Sequence, residues 1–481
     1  MLNQILMEIQ MKLKKKFFIV FLFLMTFHLN AQNKSITLDD AINLALNNNT
    51  DIKISLLNVQ KADAAVSEAF GYALPSIDFS ANFSHFIEKP RMPFPDFEAL
   101  LKNSTYAILF DENIIPRDNS KFLPLETKLQ SFAQTNNYQA QLQLTQTLFS
   151  SAVFRGIGAS QIYFELAKAE LNNQISKTVL SVQSAFYGGL LLKKVSEITE
   201  SSFLNAQDNL KNVKSLYEQG FVSEFDLLQA EVAVENIRPV VLQMQNNLKS
   251  ALDGLKLLIG IPQSEEISLS GEFSYTDEEL PSESDLISEA LQNNFGLKSL
   301  DLKKQVDEEF IQLDVSEYWP NIFAFGNYTY AGSSDKWKFQ NYSQMAVGVG
   351  LSINLWKGNR TKNRVEQSTV VFKQTEEMLN QYKNFLVTQV KSKLNELRRI
   401  KLLIDAQSKN VSVAERAYEI ARVRYKEGTG NQLEIQNADI ALKQARTNYI
   451  QSVHTYMINK YELEQLLGKT NPNYLTIHKI D

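Results

Sequence analysis

Two short stretches contain the tyrosines, glycines and acids that are the best candidates for a functional site. Residues 217–226 recur as residues 425–434, and each stretch begins with a Tyr-x-x-Gly motif and ends in an acid, Asp226 or Glu434. A carboxylate in the first turn of a helix can accept hydrogen bonds from the backbone there. The same carboxylate beside a narrow aqueous passage would attract cations and repel anions. Both roles stay open, because one side chain can serve both.

The side chains that catalysis or metal binding needs are not grouped along this chain. It has no cysteine, which excludes disulfides, zinc–thiolate sites and cysteine nucleophiles, and its four histidines are scattered. The sequence Gly-Lys-Thr at 468–470 resembles the end of a phosphate-binding loop, but Leu463 stands where that motif needs its first glycine. We therefore expect no enzyme activity, no cofactor and no metal ion.

Each of the two stretches is predicted to be the tip of a helical hairpin. Gly220 and Gly428 stand where a helix C-terminus favours a left-handed residue. Ser223 and Asn431 suit the N-cap of the following helix, with an acid three residues later as in a capping box. Apolar residues precede and follow both tips at the alternating spacing of three and four that is typical of a coiled-coil seam.

The rest of the chain indicates an internal duplication with very long helices. A capped amphipathic helix that begins at Leu38 and runs to about Ala73 recurs 245 residues later. Pro75, before the first predicted strand, corresponds to Pro320 before the third. The helix from Gly156 to the first tip has about 60 residues, which at ~1.5 Å each is ~90 Å. It is therefore far longer than a membrane is thick.

Four runs alternate apolar and polar residues over about ten positions, which is typical of transmembrane β-strands. They cover residues 77–83, 138–148, 322–330 and 345–355. We expect the first run to pair with the second and the third with the fourth, although Phe323 and Phe325 interrupt the polar face of the third. Four strands are too few to close a barrel, and lipid does not tolerate an open sheet edge. Other copies of the chain must therefore complete the sheet.

Residues 1–31 are predicted to be a signal peptide. Four lysines precede an apolar run at 17–29, which is too short to span a bilayer. A membrane anchor is the alternative. Removal of this segment changes the net charge from −5 to −8, because it contains four Lys and one Glu. No basic tract remains, so we do not expect nucleic acid as a partner.

These patterns divide the chain into a signal peptide, two repeats and a tail. The predicted boundaries are 1–31 for the signal peptide, 32–75 for the first N-terminal helix, 76–150 for the first β-hairpin with an external loop at 86–137, 151–261 for the first helical hairpin with its tip at 218–223, 262–281 for an equatorial linker, 282–319 for the second N-terminal helix, 320–356 for the second β-hairpin, 357–469 for the second helical hairpin with its tip at 426–431, and 470–481 for the C-terminal tail.

Over residues 36–470 the sequence resembles the TolC-type outer-membrane efflux proteins. The resemblance rests on the opening at 38–49, on the two Tyr-x-x-Gly motifs followed by an acid, a Leu or Ile and an Ala, and on helix ends at 257–260 and 466–468. It implies a mixed α and β homotrimer in outer-membrane lipid. Three copies of four strands would form a 12-stranded transmembrane β-barrel, continued by an α-helical coiled-coil barrel through the periplasm.

The resemblance also implies a function and two partners. The trimer would be a passive exit duct in a tripartite efflux or type I secretion system, docked to a periplasmic adaptor protein and an inner-membrane transporter. The alternative is a periplasmic adaptor, although adaptors carry one helical hairpin and this chain has two. The sequence does not separate drug, metal-ion and protein export. The predicted contacts with the adaptor are at the tips: Gly220, Phe221, Val222, Ser223, Gly428, Thr429 and Gly430.

A gate at the periplasmic end is the second site that the resemblance implies. Tyr425 and Glu434 match a tyrosine and an acid of that gate, and Asp226 is the acid of the other tip. Asn437 stands where the best-known member of the family has a second acid, and Gly430 where it has an arginine. Threefold symmetry would bring three Glu434 carboxylates around the axis, which predicts a preference for cations.

Overall fold

The computed structural model describes residues 34–273 and 275–476. The predicted signal peptide and the end of the predicted tail lie outside these residues. The α-helices are α1 (Leu38–Asn48), α2 (Thr50–Gly71), α3 (Phe97–Asp111), α4 (Ser151–Glu218), α5 (Glu224–Ile259), α6 (Glu283–Asn293), α7 (Phe295–Val315), α8 (Arg360–Lys426), α9 (Gln432–Leu466) and α10 (Pro472–Thr476). The strands are β1 (Lys34–Ile36), β2 (Ser76–His85), β3 (Met92–Pro95), β4 (Thr127–Gln130), β5 (Asn136–Ser150), β6 (Ile267–Leu269), β7 (Asn321–Ser334) and β8 (Gln340–Ser352).

The described residues form two compact units. One unit is helical and contains residues 34–63, 162–306 and 371–476. The other contains residues 64–161 and 307–370 and is built on a four-stranded sheet. The predicted mixed α and β fold is therefore confirmed at the level of a single chain.

The core of the helical unit lies along the predicted coiled-coil seam. Leu397, Ile400 and Ile404 of α8 are almost completely buried and pack in one cluster with apolar residues of α1, α4, α5 and α9. Val411 and Ala414 continue the same seam toward the second tip, but they are only half-buried. Ala421, nearer that tip, is buried again, so burial along the seam varies and does not fall steadily toward the tip.

Helices α1 and α2 replace the single helix that the sequence predicts from Leu38 to about Ala73. The break falls at Asn49, whose side-chain amide donates a hydrogen bond to the carbonyl oxygen of Leu258 (2.9 Å). The side-chain oxygen of Asn49 accepts from the backbone amide of Asp51 (2.9 Å) and so caps α2. Periodicity misses this break because the apolar spacing continues across it.

The second half of the chain has the same kind of break, between α6 and α7. Asn294 donates to the carbonyl oxygen of Leu466 at 3.0 Å. Asn294 lies 245 residues after Asn49, and Leu466 lies 208 residues after Leu258, which are the two offsets that the sequence predicts. The equivalent contacts agree with the repeat pattern.

The sheet is antiparallel, with the strand order β2-β5-β7-β8. Both predicted strand pairs are present: Phe79 lies opposite Leu142, and Tyr328 lies opposite Met345. Strand β5 also pairs with β7, so the two hairpins form one sheet. Strands β2 and β8 are its two edges, and β2 is exposed along its whole length.

Two phenylalanines that interrupt the polar face of β7 lie over glycines of the neighbouring strand. Phe323 is opposite Gly350, and Phe325 is opposite Gly348. A Cβ atom on either glycine would clash with the ring across from it. The rings therefore cover glycine backbone, which explains why two large apolar side chains fit on this face.

The predicted external loop at 86–137 contains regular structure, which the sequence did not predict. Strands β3 and β4 pair as a hairpin, and α3 lies between them in sequence. The base of the loop is held by Asp335, whose carboxylate accepts from the backbone amide and the hydroxyl of Thr135 (both 2.8 Å) and pairs with Lys89 (2.5 Å). The Lys89 ammonium and the Thr135 donors lower the pKa of Asp335 to about 2.

The predicted equatorial linker at 262–281 is held to the helical unit at two places. Strand β6 pairs in parallel with β1. Downstream of β6, Asp277 pairs with Lys401 of α8 (2.5 Å), and Glu278 pairs with Lys460 of α9 (2.8 Å). The hydrogen bond from Lys401 is the main reason that the pKa of Asp277 is lowered.

Candidate functional site

The first tip joins α4 to α5 through a left-handed glycine. Gly220 has φ +78° and donates its backbone amide to Tyr217 O (2.8 Å), while the amide of Phe221 donates to Leu216 O (2.9 Å). These two bonds form a Schellman motif, which satisfies the last carbonyl groups of the helix. The prediction of a glycine-terminated hairpin tip is confirmed here.

The acid of the first tip is used by a capping box. The hydroxyl and the backbone amide of Ser223 donate to Asp226 Oδ2 (2.6 and 3.1 Å), and the backbone amide of Asp226 donates to Ser223 Oγ (3.2 Å). This arrangement satisfies amides at the N-terminus of α5. The predicted capping role of Asp226 is therefore confirmed.

Large apolar side chains are exposed on the first tip. Phe221 is 74% exposed, whereas its neighbour Val222, which the sequence predicts to be exposed with it, is half-buried. Phe225 (66% exposed) and Leu228 (51%) extend the apolar surface along α5. Phe225 and Leu228 are three residues apart in α5, a spacing that places them on one helix face, and this was the available signal for extending the apolar surface beyond Phe221. We call Phe221, Phe225 and Leu228 the apolar face of the first tip.

The second tip has the same backbone and a different use of its acid. Gly428 has φ +73°, and the amide of Thr429 donates to Arg424 O (2.9 Å). Asn431 caps α9 by accepting from the backbone amide of Glu434 (2.9 Å). The Glu434 carboxylate pairs instead with Arg424, with Oε2 3.4 Å from Nη1. The sequence predicts a reciprocal capping box here. That prediction is wrong for Glu434, because a guanidinium on the preceding helix attracts its carboxylate.

Sequence reasoning missed Arg424, which lies just before the Tyr-x-x-Gly motif. Its Nη2 atom also donates to Thr429 O (3.2 Å), and Thr429 Oγ1 donates to Arg424 O (3.1 Å). The guanidinium thus lies across the turn, bonded to its backbone and paired with Glu434. The signal in the sequence was an arginine ten residues before an acid on the other arm of a predicted hairpin.

Two of the four predicted gate residues, Tyr425 and Asp226, are near enough for the charge of Asp226 to act on the phenol of Tyr425. The pKa of Tyr425 is raised, mainly by burial and further by the negative charge of Asp226. Glu434 is half-buried next to Arg424, and Asn437 is exposed about one turn further along α9. A gating role for these residues remains a prediction.

A polar cleft of about 940 Å³ lies between the two hairpins next to the tips, lined by residues of α4, α5, α8 and α9. On its wall, Asp439 of α9 accepts from the hydroxyl of Ser202 (2.5 Å) and from the amide of Asn205 (3.4 Å), which links α9 to α4. Gln432, only 4% exposed, has a side-chain oxygen without a hydrogen-bond partner. The pKa of Tyr418 is raised by burial and by the charge of Asp439.

The described part of the chain contains no cluster of side chains suited to a metal ion and no helix suited to cross a membrane. Within it, no three His, Asp or Glu side chains are placed to hold a metal ion. None of its helices combines the length and the apolar character that a membrane crossing requires.

Comparison with known proteins shows what this chain is similar to. The profile of the family described as outer membrane efflux protein matches residues 93–261 and 286–469. Outer membrane protein TolC of Salmonella enteritidis is 23% identical over 345 residues, which are 70% of each chain. TolC of Escherichia coli strain K12 is 21% identical over 348 residues, again 70% of each chain.

The fold is also that of solved outer membrane channels. The CmeC outer membrane channel of Campylobacter jejuni superposes with a TM-score of 0.70 at 16% identity, covering 90% of this chain and 85% of that one. The family profile covers well over half of the chain, so the resemblance to TolC-type proteins is confirmed. The chain belongs to the outer membrane efflux protein family and is located in the outer membrane.

Proposed function

We propose that three copies of this chain assemble into a passive exit duct of a tripartite efflux or type I secretion system. The observation that carries the proposal is the open sheet. Its edge strands, β2 and β8, have no neighbour on their outer sides within the described residues. Each unpaired backbone group would cost several kcal/mol in lipid, so the sheet has to be closed by other copies.

The side chains of the sheet support a position in lipid. Phe79 on β2 and Val347 on β8 are more than 70% exposed, and Tyr328 and Tyr330 on β7 are also exposed. On the other face, β5 carries glutamines and threonines at alternate positions. Strands of 10 to 15 residues with this alternation suit an outer-membrane barrel. Three copies supply 12 strands, an even number of at least eight.

The long helices support a tunnel beyond the membrane. Helices α4 and α8 have 68 and 67 residues. At ~1.5 Å per residue each is ~100 Å long, whereas the apolar part of a bilayer is ~30 Å thick. Most of each helix therefore lies outside the membrane, and we assign it to the periplasm.

The tips are the proposed contact with a periplasmic adaptor, which would connect the duct to an inner-membrane transporter. The exposed Phe221 supports this, because a large apolar side chain at the end of a hairpin is typical of a surface that meets a partner. The full proposed contact is Gly220, Phe221, Val222, Ser223, Gly428, Thr429 and Gly430.

The gate is proposed at the same end of the duct. Tyr425, Glu434, Asn437 and Asp226 are its proposed residues, and the charge of Asp226 acting on Tyr425 supports a connection between the two tips. The alternative function, a periplasmic adaptor, is set aside because the chain belongs to the efflux protein family.

The test is the location and mass of the full-length protein. We expect it in the outer-membrane fraction, and in detergent we expect a protein mass of three chains of 54.8 kDa, less the signal peptides. Heating should convert the trimer to the monomer on a gel. A stable, folded monomer, or a protein released with the periplasmic fraction, would contradict the proposal.

A further inference from the structure

We infer that Arg424 is the counterion of Glu434, so that the second tip presents an ion pair to the pore instead of a free carboxylate. The inference rests on the proposed duct and on Glu434 lining its periplasmic end. Arg424 would then set the ionic selectivity of that end. A ring of acids alone would make this end of the duct prefer cations.

Two contacts hold the guanidinium in position, and a third fixes the turn to the backbone of the same residue. Its Nη1 is 3.4 Å from Glu434 Oε2, and its Nη2 donates to Thr429 O at 3.2 Å. Thr429 Oγ1 in turn donates to Arg424 O at 3.1 Å, which joins the turn to the same residue. Because the backbone of the turn fixes one nitrogen, the other is directed at the carboxylate.

Two residues of the tip make this pair possible. Asn431 supplies the N-cap of α9, so the Glu434 carboxylate is not needed there. Gly430 leaves space: a Cβ atom at this position would lie 3.1 Å from Arg424 Cβ and 3.2 Å from Glu434 Oε2. The corresponding residue of the first tip is Val222, and there the acid is occupied by its capping box.

The pair matters for charge more than for stability. Both side chains are about half exposed, and exposed ion pairs stabilise a protein by only ~0–1 kcal/mol. The cancellation of the Arg424 and Glu434 charges does not depend on how much the pair stabilises the protein. At distances beyond the screening length, which is about 8 Å at physiological salt, two opposite charges this close act as a dipole without net charge. In a trimer, three pairs would replace a ring with three net negative charges.

The experiment measures ion selectivity in planar lipid bilayers across a KCl gradient. The full-length parent is compared with Arg424→Gln, Glu434→Gln and the double variant. We expect a weakly selective parent, a severalfold higher ratio of cation to anion permeability in Arg424→Gln, and a shift toward anions in Glu434→Gln. The double variant should return close to the parent. Hexamminecobalt(III), a trivalent probe, should block Arg424→Gln at lower concentration than the parent.

Two controls separate charge pairing from damage to the protein. Arg238→Gln removes an equivalent exposed ion pair on α5, to Glu235 (2.9 Å), and should leave selectivity at the parent value. The charge-reversed variant Arg424→Glu with Glu434→Arg should restore the selectivity of the parent. Trimer yield in detergent is measured for every variant.

The outcomes distinguish this inference from the proposed function. If the parent forms no channel, the duct itself is contradicted and the inference falls with it. If channels open but Arg424→Gln keeps the selectivity of the parent while Glu434→Gln shifts it, Arg424 is not the counterion. Equal shifts of both variants in the same direction would likewise overturn the pairing.

Discussion

Asp226 of the first tip accepts two hydrogen bonds from Ser223, whereas Glu434 of the second tip leaves the cap to Asn431 and pairs with Arg424. The backbones of the two tips are nearly the same, since each helix ends in a Schellman motif with a left-handed glycine. The difference shows that the Tyr-x-x-Gly motif determines the turn, and that the residues around it determine what the acid does.

The exposed side chains of the tips differ in the same sense. The first tip presents its apolar face, led by Phe221, to solvent. The equivalent of Phe221 in the second tip is Thr429, whose hydroxyl is bonded to the turn. Leu433, the equivalent of Phe225, is also 50% exposed, so the second tip combines one exposed apolar side chain with its paired charges, whereas the first tip presents three exposed apolar side chains to a partner.

The largest effect should come from a charge on the apolar face of the first tip. Phe221→Asp should reduce efflux to the level of a strain lacking the protein, because it desolvates a carboxylate in the adaptor contact. Thr429→Asp, at the matching position of the second tip, should retain most efflux. Resistance to exported compounds is measured together with trimer yield. Equal losses in both variants would contradict the assignment of the apolar contact to the first tip.

The next effect concerns the space beside Arg424. Gly430→Val should force apart Arg424 and Glu434 and destabilise the turn locally by about 1–3 kcal/mol, a typical cost of overpacking. Hydrogen exchange at the amides of Thr429 and Gly430 should then be faster. Val222→Gly makes the reverse change in the first tip, where no such pair needs room. If Gly430→Val leaves exchange unchanged, the glycine has no packing role.

A smaller effect should separate the two acids by stability. Asp226→Asn should weaken the capping box and destabilise the start of α5 by about 1 kcal/mol, which gives about fivefold faster exchange of its first-turn amides. Glu434→Gln should leave the start of α9 almost unchanged, because Asn431 provides that cap. Similar acceleration in both variants would mean that both acids are caps.

The smallest effect is a change in the ionisation of Tyr425. Burial and the charge of Asp226 raise the pKa of its phenol, so its contribution to stability is present below pH ~10 and is lost as the pH rises through the folded pKa. Asp226→Asn should lower the pKa of Tyr425. The ultraviolet difference between each protein and its Tyr425→Phe counterpart isolates this one tyrosine. An unchanged titration would show that the tips are not electrostatically connected.

Much of the fold could be predicted because it depends on local rules. Gly220 and Gly428 mark the turns by their conformation, and alternation from Ile77 onward and from Tyr138 onward predicts two strands that do pair. The break at Asn49 could not be predicted, since it depends on a carbonyl group of Leu258, which is distant in sequence. The order within the loop at 86–137 was also missed.

Part of the candidate site could also be predicted from the sequence, and part could not. Capping by Ser223 follows from its place after the glycine, and it was predicted. The pairing of Arg424 with Glu434 depends on the separation of two helices and on space at Gly430, which periodicity does not contain. Phe225 was missed because it lies in the first turn of α5, outside the turn that the Tyr-x-x-Gly motif specifies.

Disulfide cross-linking between the sheet edges would show whether three copies of the chain close the barrel. The chain has no native cysteine, so Ala81→Cys in β2 can be combined with single cysteines placed along β8 from Tyr342 to Leu351. We predict that at least one pair links neighbouring copies, giving dimers and trimers on a non-reducing gel and nothing larger. A link confined to the monomer, or no link at any position, would contradict a barrel completed by three copies.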